Sequence, residues 1–200
     1  MKYRKIISLA CIGLFFMVCG VASVMAEGEP GKLLMNTIDR GLSILKDPAW
    51  KGENKILERR QKLWQEISPV FNFEEMSKRA LGQYWKQRTT EEKKEFIELF
   101  TVILKDAYIG KTDTYSGEKV VFLGEKQDGN YAKVQTKLIT NQGTEVAVDY
   151  NMLNNQGKWT IYDVIIEGVS LVNNYRSQFN NILMKSSYSE LVQKIRGKKG

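Results

Sequence analysis

The chain has 200 residues, a formal net charge of +7, no histidine, and two cysteines, Cys11 and Cys19, both near its start. Without histidine the commonest general base and a favoured zinc ligand are missing, and two early cysteines supply no thiol framework for the remainder. The remaining possibilities are carboxylate, lysine, tyrosine and serine chemistry, or binding without chemistry.

Lys2, Arg4 and Lys5 are followed by no charge until Glu27, and the uncharged run is broken by Gly20 and ends in Val24-Met25-Ala26. This order of basic start, apolar middle and small end predicts a secretory signal over residues 1–26, with 27–200 as a single domain. Gly20 and the small end separate it from a retained anchor, and Val18 before Cys19 separates it from a lipoprotein signal. Cleavage removes both cysteines and three basic residues, which leaves a net charge of +4 and no disulfide. A core must then hold the domain without a staple, and so mild a charge is no nucleic-acid signature.

Leu34, Ile38, Leu42 and Leu45 recur at helical spacing over Lys32 to Lys46, and Asp47-Pro48 ends that helix. A second helix is predicted from Asn54 to Ile67, with Ile56, Leu57, Leu63, Trp64 and Ile67 inward and a stop at Ser68-Pro69. Phe71 and Phe73 lead into a short helix from Glu74 to Trp85. Thr89 with Glu92 forms a capping box for a long helix whose stripe is Phe96, Leu99, Phe100, Ile103, Leu104, Ala107 and Tyr108. Four strand-like runs follow, Lys119 to Gly124, Tyr131 to Thr140, Thr144 to Leu153 and Trp159 to Glu167, separated by turns rich in Asn, Asp and Gly. In the last of them Ile161 and Ile165 alternate with Tyr162, Val164 and Ile166, so this strand is covered on both faces. Glu167-Gly168 interrupts it. Helical spacing resumes at Leu171, Val172, Tyr175, Phe179, Ile182 and Leu183, and Ser187 with Glu190 caps a terminal helix. The fold class is α+β, a helical layer packed on one twisted four-stranded antiparallel sheet enclosing an apolar pocket.

Asp163 and Glu167 are too loosely specified for acid and base work; Asp163 reads as solvated or turn-bonded, and Glu167 as marking a bulge or capping the following helix. No glycine-rich phosphate cradle follows any strand. What stands out is apolar: a sheet face of Val134, Val148, Tyr150, Val164 and Ile166, opposed by Phe100, Ile103, Leu104 and Tyr108 and closed by Val169, Leu171, Tyr175 and Phe179. Each of these residues fits a plain core, and the arrangement of one concave sheet under helices also fits a cavity.

Two stretches carry a resemblance. FNFEEMSKRALGQYWKQRTTEEKKEF, from Phe71 to Phe96, and YDVIIEGVSLVNNYRSQF, from Tyr162 to Phe179, resemble the MlaC or toluene-tolerance family, the periplasmic lipid carriers of the Mla (maintenance of lipid asymmetry) system. With the Gly157-Lys158-Trp159 turn, the similarity runs from Lys32 to Ile195. It implies a pocket for the acyl chains of a phospholipid with the head group toward solvent, needing no specific charge there. It implies lipid-binding roles for the apolar positions from Val164 to Leu171, namely Val164, Ile166, Val169 and Leu171, and for Tyr108, Val134, Val148, Tyr150 and Phe179; Phe100 and Leu104 of the opposing helical stripe complete the candidate lipid-binding residues. The resemblance also implies an inner-membrane lipid ABC transporter complex and an outer-membrane lipoprotein complex as partners, and no cofactor, metal or catalysis. Rival readings are a carrier of another apolar lipid such as a hopanoid, a hydrolase or isomerase using Asp149, Tyr150 or Asp163, and an interaction protein whose apolar faces merely pack.

Overall fold

The computed structural model describes residues 28–197; the expected signal segment lies outside the described residues. Helix α1 runs Glu29–Lys46, α2 Ile56–Ile67, α3 Phe73–Leu81 and α4 Thr90–Ile109. Strands β1 (Lys119–Asp128), β2 (Tyr131–Ile139), β3 (Glu145–Asn155), β4 (Lys158–Ile166) and β5 (Val169–Ser170) precede α5 (Leu171–Leu183) and α6 (Tyr188–Gly197). The expected α+β class holds. The helix ends follow local chemistry: Thr89 Oγ1 accepts from Glu92 N while Glu92 Oε2 accepts from Thr89 N, and Ser187 and Glu190 repeat the exchange before α6. Helix α3 stops at Leu81, short of Trp85, because Gly82 takes φ +56 and a 3-10 turn, Gly82–Gln87, follows.

The sheet is an antiparallel meander in the order β1-β2-β3-β4-β5, so it has five strands against the four expected. The extra strand arises because Glu167 (φ +48) and Gly168 (φ +78) both take positive φ, as a tight hairpin requires, and turn Val169–Ser170 back onto Ile165 and Ile166. A second departure lies in β4. Asn151 pairs with Asp163 and Met152 with Ile161, which leaves Tyr162 unpaired in a bulge. Simple alternation would put Ile161 and Val164 on opposite faces. The bulge instead brings both into one apolar cluster.

Three clusters form the interior. Helix α1, through Leu34, covers Ala132, Val134, Met152, Trp159 and Ile161 of the sheet. Helices α3 to α6 make a separate core around Phe96, Phe100, Val172, Phe179 and Leu191. Ile44, Leu63 and Ile109 join α1, α2 and α4. Each fully buried aliphatic or aromatic side chain contributes ~2 kcal/mol relative to exposure.

Candidate functional site: an apolar cavity between helices and sheet

A half-open cavity of ≈ 270 Å³ lies where the three clusters meet. Trp64 and Ile67 of α2 line it, with Phe71, Phe73 and Met76 at the start of α3, Leu104, Lys105, Tyr108 and Ile109 of α4, and Thr112 beyond. The sheet contributes Val148, Tyr150, Val164 and Ile166, and Leu171 closes it. The register explains the sheet wall, because Val148 pairs with Ile166 and Tyr150 with Val164. These are two neighbouring cross-strand pairs facing one way. Ile166 keeps 36% exposure in this wall.

The aromatic wall is continuous: Trp64 and Phe73 centroids are 5.5 Å apart, Phe71 and Phe73 5.8 Å. The polar atoms in the lining are few and mostly accounted for. Thr112 Oγ1 donates to the Ile109 carbonyl at 2.6 Å. Burial pushes the Tyr150 hydroxyl up to about 12, and it raises Tyr108 as well. Tyr150 is half-buried and lines the cavity.

One electrostatic latch holds the α2 wall in place. Arg59 Nη2 donates to Asp113 Oδ1 and Arg60 Nε to Asp113 Oδ2, both at 3.0 Å, tying α2 to the turn after α4. The bond from Arg60, and then that from Arg59, holds the Asp113 carboxyl below its usual range against the opposing effect of burial.

Of the eleven residues singled out from sequence, Leu104, Tyr108, Val148, Tyr150, Val164, Ile166 and Leu171 come together around this cavity. Four do not, and each has a packing reason. Phe100 is fully buried between helices, edge-on to Tyr175 and Phe179. Val134 lies under α1, in the cluster with Leu34, Ala132, Met152 and Ile161, while the sheet wall of the cavity comes from Val148, Tyr150, Val164 and Ile166 on β3 and β4. Phe179 borders a different, smaller cavity of ≈ 180 Å³ between α5 and α6. Val169 is 61% exposed, turned out by the hairpin that makes β5. Among residues not singled out, Trp64, Ile67, Phe71 and Phe73 were visible as inward or aromatic positions, whereas nothing in the periodicity marks Lys105 or Thr112.

Asp163 also differs from its expected role. It is 6% exposed, and its carboxylate accepts from Ser170 Oγ at 2.6 Å and from Val172 N at 3.0 Å, so Ser170 as N-cap and Asp163 behind it, not Glu167, satisfy the first turn of α5. Glu167 instead accepts from the Ala147 backbone N–H across the sheet. Among the described residues, no group of three or more His, Cys, Asp or Glu side chains is placed to hold a metal ion, and no helix is long and apolar enough to cross a membrane.

Together the fold and cavity define an α+β binding protein whose site is shaped for an apolar ligand. A sequence model described as MlaC protein matches residues 35–197, and the chain belongs to that family. It is 24% identical over 178 residues to the intermembrane phospholipid transport system binding protein MlaC of Haemophilus influenzae, covering 86% of this chain and 83% of that one. It is 26% identical over 122 residues to a toluene tolerance protein of Pseudomonas putida, covering 60% and 57%. Among solved structures, a phospholipid-binding protein from Ralstonia solanacearum in complex with a phospholipid superposes with a TM-score of 0.76 at 26% identity, covering 85% of this chain and 96% of that one.

Proposed function

We propose that the chain is a periplasmic phospholipid carrier that shelters acyl chains in the α2–α4–sheet cavity and moves lipid between outer and inner membranes without catalysis. The observation that carries this reading is the half-open apolar cavity itself, built from Tyr108, Val148, Tyr150, Val164 and Leu171 in a fold shared with a phospholipid-bound relative. Burying one methylene is worth ~0.8 kcal/mol, so about fifteen sheltered methylenes hold the lipid by ~12 kcal/mol and release into water is slow. Lipid is therefore handed directly to a docked acceptor. The acceptor and donor that fit this role are an inner-membrane lipid ABC transporter and an outer-membrane lipoprotein complex.

The cavity is slightly smaller than the ~300 Å³ at which ordinary ligand pockets begin, so two acyl chains require its walls to part. The seam between the α2 wall, held by the Asp113 latch, and the sheet is the place for that movement. Asp163, one of the residues named in the enzymatic alternative, has both oxygens engaged at the start of α5.

The test is extraction and mass spectrometry of lipid from protein purified without detergent. A stoichiometric phospholipid is expected in the wild type, and Val164→Trp or Val148→Trp, each placing an indole in the cavity, lowers it at least tenfold with an unchanged circular dichroism spectrum. A polycyclic lipid in place of phospholipid, or an empty wild-type protein, overturns the assignment.

A further inference from the structure

Two cations, one lining the cavity and one beside a residue of its wall, have no anionic partner among the described residues. Lys105 lines it, and its ammonium lies 5.6 Å from the centroid of the Trp64 ring. The ammonium of Lys111, in the turn after α4, lies 5.7 Å from the Tyr108 ring centroid. Both rings belong to the cavity wall. These separations are near the ~6 Å limit of cation–π attraction, so the rings orient the ammonium groups without saturating them. Neither lysine is in an ion pair among the described residues. The acid nearest in sequence to Lys111, Asp113, is already held by Arg59 and Arg60. Asp106, beside Lys105, is exposed and does not line the cavity. This side of the cavity therefore carries an excess of positive charge.

In place of the head-group side without specific charge that the resemblance implies, we infer that Lys105 and Lys111 form a head-group site that receives the phosphodiester of the bound phospholipid and favours lipids of net negative charge. The inference rests on the carrier reading above. With the tails inside, the glycerol tether keeps the phosphate at the cavity's edge, where Lys105 on the wall and Lys111 beside the Tyr108 ring offer charge-assisted hydrogen bonds. An anionic head group is attracted without opposition. A zwitterionic one brings its own ammonium, which the two lysines repel.

The full chain, stripped of lipid, is incubated with vesicles of equimolar phosphatidylglycerol and phosphatidylethanolamine, re-isolated, and its bound lipids are counted by mass spectrometry. Phosphatidylglycerol is expected in roughly three- to tenfold excess, with the ratio falling as salt is raised. Lys105→Gln combined with Lys111→Gln brings the ratio to about one, and the corresponding double arginine variant retains it. Equal uptake by the wild type, or a preference that survives the double glutamine change, overturns the head-group site and leaves the carrier reading standing. Uptake of neither lipid overturns both.

Discussion

Asp163 is a buried carboxylate with a structural task. Ser170 Oγ donates to it while accepting from Asn173 N at 3.0 Å, so one chain of hydrogen bonds joins β4 to the first turn of α5. Asp163→Ala removes the acceptor behind the N-cap and strands the buried Val172 N–H and the half-buried Ser170 hydroxyl, and urea titration is expected to show a loss of ~2–3 kcal/mol, with Asp163→Asn losing less. Tyr150 makes a different prediction, in pH. Its folded value is raised from 10.0 to about 12 by burial, so between those values the native state keeps a proton that the unfolded chain releases. Stability therefore falls as pH rises through that window, by up to ~2 kcal/mol. Comparison with Tyr150→Phe isolates the effect, because the variant keeps every lysine titration and loses only this one.

At the scale of elements, the wall that α2 gives the cavity depends on Asp113. Its folded pKa is depressed, so the stability it adds is present above the unfolded value and is lost as pH falls through the lower folded one. Asp113→Ala leaves Arg59, whose side chain is 11% exposed, without its carboxylate, and a cost of ~2–3 kcal/mol is expected in urea unfolding at neutral pH. Hydrogen exchange should show the loss first in α2. The elements themselves were largely legible in the sequence, because capping boxes, turn glycines and apolar spacing are local signals. Thr89 and Ser187 stand where their motifs put them. What was not legible is non-local. No periodicity distinguishes Phe100, which meets other helices, from Leu104, one turn later on the same stripe, which meets the cavity. Nor does the strand pattern announce the bulge at Tyr162, which exists only through β3's register.

Over the whole molecule, the cavity is a place where three cores fail to close on one another. The proposed carrier role, with direct hand-off, requires exchange by collision. Transfer to acceptor vesicles is expected to accelerate in proportion to acceptor concentration, without the plateau that prior escape into water would impose. A measured plateau would argue for release into water. The ≈ 270 Å³ of space has a consequence under compression. Unfolding removes internal voids and thereby shrinks the system, typically by ~20–100 mL/mol, so hydrostatic pressure favours the unfolded chain in proportion to the void eliminated. A lipid in the cavity takes up that slack. Fluorescence under pressure should find the empty protein giving way hundreds of atmospheres before the loaded one, making the volume change of unfolding a direct gauge of cargo occupancy.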